Sequence, residues 1–74
     1  MNNKRRKALA NLITQLGECT SYLQGILDEE QDAFDNIPES LQDSDKGNRI
    51  EDAIDTMQNA CDQISEATDS LKEL

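Results

Sequence analysis

The chain has no histidine, no tryptophan and no valine, and in 74 residues only one proline, one phenylalanine, one tyrosine and two cysteines. Without histidine, the commonest general base and the commonest zinc ligand are missing, and two thiols cannot complete a zinc site alone. No apolar run approaches the roughly 20 residues of a membrane-spanning helix. The basic opening Lys4-Arg5-Arg6-Lys7 is not followed by the apolar core of a signal peptide, so a reducing cytoplasm is the expected setting. Bases are scarce too: seven Lys and Arg stand against sixteen Asp and Glu, for a net charge of −9. That balance argues against direct binding to nucleic acid, since four bases at one end cannot offset it. Nucleophilic catalysis needs an activated side chain beside a base, and paired carboxylates need a pocket that perturbs them. A chain this short buries little, so no enzyme and no cofactor are expected.

What is present is a rhythm. Leu9, Leu12, Leu16, Cys19, Leu23, Ile26, Glu30 and Ala33 follow one another in steps of three and four. Ile50, Ile54, Met57, Cys61, Ile64, Thr68 and Leu71 do the same. This is the a/d spacing of helices that pack on helices. It predicts one all-α domain over residues 1–74: a helix over about 3–34, a connection over 35–44 and a helix over about 45–73. The two series also mirror each other, because residues 9 and 71, 16 and 64, or 23 and 57 have numbers summing to 80. A constant sum is the mark of an antiparallel, coiled-coil-like hairpin. The expected midpoint is Ser40, with Leu16 beside Ile64 and Cys19 in one layer with Cys61.

The connection has its own signals. Pro38 lacks an amide donor and holds Ile37 extended, which ends the first helix. Ser44 or Asp45 can cap the second. Phe34, Ile37 and Leu41 are expected to plug the closed end, with a short helical turn near 38–42. Asp43-Ser44-Asp45-Lys46-Gly47 has the acids of a calcium loop, but Gly47 is fifth instead of sixth and Ile54 stands where the twelfth-position Glu is needed. No metal site is expected. Cys19 and Cys61 are read as small buried apolar residues.

Apolar residues remain beyond each seam: Ile13, Thr20, Leu27 and Phe34 on the first helix, Ala53, Ala60, Ala67 and Leu74 on the second. Left in water, Ile13, Leu27 and Phe34 would each forgo about 1.5–3 kcal/mol of burial. Either the helices roll to cover part of this stripe, or other helices cover it. The second solution makes Ile13, Leu27, Phe34 and Leu74 a self-association or partner face. A four-helix bundle, with a dimer favoured, would then complete the hairpin.

Charge is segregated as well. Residues 1–7 hold four bases and no acid, whereas residues 28–55 hold eleven acids and two bases. Asp28, Glu29, Asp32, Asp35, Glu39, Asp43 and Asp45 therefore mark an acidic closed end that could face a basic partner. At the open end Lys4 to Lys7 are expected to meet Glu66, Asp69 and Glu73. The first helix is charged against its own dipole, at about 0.3–1 kcal/mol per placement. Acids at its finish thus suggest a role other than stability, although solubility alone would also account for them.

The segment Glu29-Glu30-Gln31-Asp32-Ala33-Phe34-Asp35-Asn36-Ile37-Pro38-Glu39-Ser40-Leu41-Gln42 resembles one in small acidic proteins encoded by bacteriophages and prophages, as do the basic opening and Ala53-Ile54-Asp55. The resemblance implies a bacterial host cell and stoichiometric binding to a host protein; it implies no chemistry. Two functions are thus expected: a non-enzymatic, self-associating interaction module, or an acidic mimic of nucleic acid that inhibits a host DNA-processing or defence protein.

Overall fold

The computed structural model describes residues 1–74 as two α-helices, α1 (Asn3–Asp35) and α2 (Asp45–Lys72), joined by a connection that holds a 3₁₀ turn at Glu39–Leu41. The helices pack along each other as an antiparallel hairpin, with no strand anywhere. Both starts are capped. Asn2 Oδ1 accepts from the Arg5 amide at 2.8 Å, and Ser44 Oγ accepts from the Gly47 amide at 3.3 Å while donating to the Leu41 carbonyl. These contacts satisfy amides that a helix start leaves without partners. Asn36 closes α1, and Pro38 follows in extended geometry (φ −52°, ψ 139°).

The residues that α1 turns toward α2 are not the expected series. Leu9, Ile13, Leu16, Thr20, Leu23, Leu27, Glu30 and Phe34 are buried or half-buried, whereas Leu12, Cys19, Ile26 and Ala33 are exposed. The helix has rolled by one residue at every second seam position. The cause is volume. The observed seam buries Phe34 where the expected one buried Ala33, and exchanges residues of similar size at 12/13 and 26/27. Burial free energy scales with apolar area, so the phenylalanine sets the choice. The roll also turns Thr20 inward, at little cost because its hydroxyl donates to the Leu16 carbonyl at 2.9 Å. On α2 the expected seam stands, from Ile50 through Cys61 to Leu71.

The register differs too. Residues that share a groove across the hairpin, Ile13 with Leu71, Thr20 with Ser65 and Phe34 with Glu51, have numbers that sum to 84 or 85. With the seam of α1 moved to Ile13, Thr20, Leu27 and Phe34, the layers that interlock with the seam of α2 sum to 84, a slide of about four residues from the expected 80. Leu16 consequently moves from the layer of Ile64 to that of Thr68, and Ile13 takes the place beside Leu71. Leu27 and Cys61 are the two buried apolar side chains of the hairpin, at 6% and 4% exposure. Cys19 does not share the layer of Cys61, and both cysteines are free thiols.

The slide originates in the connection, which is not symmetric. Past Asp35 the chain continues through Ile37 and the 3₁₀ turn before reversing, and Gln42 Nε2 donates to the Ile37 carbonyl at 3.3 Å. The main chain of Gln42 then lies directly on Gly47, the one buried glycine, where a β-carbon would overlap the Gln42 carbonyl. Ile37 is half-buried, but Leu41 is 53% exposed and does not join a plug.

The hairpin is a rod, with Cα extents of 58 × 15 × 13 Å and a radius of gyration of 17.1 Å, where a compact chain of this length would have about 11 Å. Its accessible surface is 5671 Å², against about 4,600 Å² for a folded monomer of this mass. Two helices alone leave much apolar surface in water.

Candidate interaction surface

The two long sides of the rod are chemically different, and seam phase explains why. In an antiparallel pair, residues that follow seam positions lie on one side and residues that precede them lie on the other. Residues that follow the seam flank the shallow grooves: Gly17 and Gln31 on α1, Glu51, Asp55, Ser65, Asp69 and Lys72 on α2. That side is polar. Residues that precede it are Leu12, Cys19, Ile26 and Ala33 on α1, with Ala53, Ala60 and Ala67 on α2; Leu74 continues the seven-residue spacing. Next to the seam that side is apolar; farther out it carries Gln15, Tyr22 and Glu29 on α1 and Thr56, Gln63 and Ser70 on α2.

The exposures along this stripe are substantial: 44% at Leu12, 42% at Ile26 and 62% at Leu74, with Cys19, Ala33 and Ala67 also exposed and Ala53 and Ala60 half-buried. Tyr22, at 76%, stands at its outer edge. Small residues alternate with Leu and Ile, so another helix could approach closely and still find side chains to interlock with.

Of the residues expected to form an association face, Ile13, Leu27 and Phe34 belong instead to the hairpin's own seam, and Leu74 alone lies outside. The unpaired surface exists, but on the neighbouring residues. The roll has a second consequence. The leftover stripes were expected on opposite sides of the hairpin, whereas with Leu12, Cys19, Ile26 and Ala33 turned out, the exposed residues of both helices share one side.

Asp28, Glu29, Asp32, Asp35, Glu39, Asp43 and Asp45 are all exposed around the closed end. No group of three or more Cys, Asp and Glu side chains is placed to hold a metal ion, and neither helix is long and apolar enough to cross a membrane. At the open end, Leu9, Ala10 and Ile13 meet Leu71 and Leu74, with Met1 and Arg6 lining the same groove, and residues 1–8 are exposed. Arg6 does not reach the acids of α2 there; its guanidinium donates to the main-chain oxygens of Met1 (3.3 Å) and Leu74 (3.2 Å).

Two features of the site escaped sequence reasoning. Gly47, weighed against the calcium-loop pattern, is a packing requirement; Asn2, at the spacing of a cap before Arg5, carries a signal that could have been found. Comparison of the chain with protein-family models, curated proteins and solved structures yields no match.

Proposed function

We propose that this chain is a non-enzymatic interaction module whose working surface is the apolar side of the hairpin, with self-association as its basic state. The observation that carries the reading is the continuous exposed stripe from Leu12 through Ile26 to Leu74. A monomer would leave that stripe in water on a rod with two buried apolar side chains. A second layer of helices removes both deficits at once. Light scattering at micromolar concentration tests this. The expected result is a mass of about twice 8.3 kDa or more, and Ile26→Glu should return the chain to a helical monomer. A wild-type monomer would overturn the reading.

A second reading is favoured by the charge: seven exposed carboxylates of the closed end form a surface that could occupy the basic groove of a host DNA-processing or defence protein, steered by long-range attraction. The two readings are compatible, since an assembly can present more than one acidic end. Reversing Asp32, Asp35 and Asp43 to Lys should abolish capture of such a partner; unchanged capture would remove the idea. The phage or prophage setting and the bacterial cytoplasm rest on the sequence resemblance and the free thiols.

A further inference from the structure

We infer that the occupant of the apolar side is a second copy of this chain, laid antiparallel to the first so that each copy's basic open end lies along the other's acidic closed end. The inference rests on the proposal that this side is the working surface, and adds what covers it and in which direction.

Three observations converge. The side runs the length of a rod 58 Å long, and of its accessible surface of 5671 Å² a stable specific interface needs to cover only about 800 Å² per partner. A face-to-face pair of identical rods has two symmetric solutions, parallel or antiparallel. Charge separates them. Residues 28–55 carry eleven acids and two bases, a net −9, while the open end, residues 1–7 with 66–74, carries five bases and three acids, a net +2. Parallel packing would set two −9 ends side by side within about a Debye length, and antiparallel packing pairs each with the positive end instead. The third observation is the placement of the bases. At the open end Met1 and Arg6 meet Leu74, while Lys4, Arg5 and Lys7 are exposed. In the antiparallel pair these bases run beside the partner's connection.

Orientation can be read with a single spin label on Ser40→Cys, in a chain that also carries Cys19→Ala and Cys61→Ala. Ser40 sits at the closed end, so the antiparallel dimer places the two labels near opposite ends of a 58 Å rod, at about 50 Å. The parallel dimer places them on neighbouring helices, within about 25 Å allowing for interaxial spacing and label arms. A separation near 50 Å is expected; a dimer with the short separation overturns the inference while leaving self-association intact, and a monomeric wild-type chain removes both. An arm in the otherwise native sequence guards against misfolding of the labelled chain. Replacing Lys4, Arg5, Arg6 and Lys7 together by Gln should raise the dimer dissociation constant by roughly a hundredfold at low salt, about a factor of two per exposed contact with each contact made twice in the symmetric pair. The variant should also show less salt dependence than wild type. An unchanged constant would overturn the pairing of unlike ends.

Discussion

Leu27 and Ile26 are consecutive in the chain, yet Leu27 is 6% exposed and Ile26 is 42% exposed. The seam passes between them. Leu27→Ala should therefore cost the hairpin about 2–5 kcal/mol, the range for truncating a buried leucine. Ile26→Ala should cost the fold little and act on association instead. Chemical denaturation followed by circular dichroism, at concentrations above and below dimer formation, separates the two effects. Equal losses from both variants would mean that the expected seam through Ile26 was right.

Glycine offers a sharper contrast. Gly47 is buried under the main chain of Gln42, while a β-carbon at Gly17 or Gly25 would meet nothing within 4 Å. Gly47→Ala should destabilise by about 1–3 kcal/mol, because main chain has to move to make room. Gly17→Ala and Gly25→Ala should each stabilise α1 by about 0.5–1 kcal/mol through reduced freedom of the unfolded chain. Thermal melts of the three single variants check the order.

Ser44, not Asp45, supplies the cap of α2. Removing its hydroxyl in Ser44→Ala should cost about 0.5–2 kcal/mol, and Asp45→Ala clearly less. The same denaturation measurement ranks them, and a larger loss at Asp45 would contradict the cap assignment.

The register can be tested chemically. Gln31 and Asp55 line one groove. With Cys19 and Cys61 replaced, cysteines at 31 and 55 should be joined within one chain by a short bifunctional maleimide. Position 24 stands one heptad, about 10 Å, along α1 from position 31, and cysteines at 24 and 55 should be joined much less readily. The reverse outcome would restore the numbering sum of 80.

The native thiols are also unequal, Cys19 being exposed and Cys61 buried. One thiol per folded chain should react promptly with a maleimide, and the second only in denaturant. Oxidation should give no intrachain disulfide, because the roll and the slide remove Cys19 from the layer of Cys61. An intrachain bridge formed under native conditions would contradict both.

The amino-acid sequence by itself determined that there are two helices and where they break, because a three-four apolar rhythm and Pro38 act locally. It determined the antiparallel hairpin and the segregation of charge, both of which follow from order along the chain. It did not determine which edge of a broad apolar stripe faces inward. Leu12 and Ile13, or Ile26 and Leu27, are nearly equal in area, and the decision fell to Phe34 against Ala33, a comparison made only once both helices are in contact. Nor did it determine the register, since the layers of the hairpin follow whichever edge of the stripe faces inward: a seam through Ile13 and Phe34 meets α2 in layers that sum to 84, where one through Leu12 and Ala33 would give 80. What decides both is tertiary: a connection that holds a 3₁₀ turn before α2 begins, main chain resting on Gly47, and the burial of Leu27 and Cys61 between the helices.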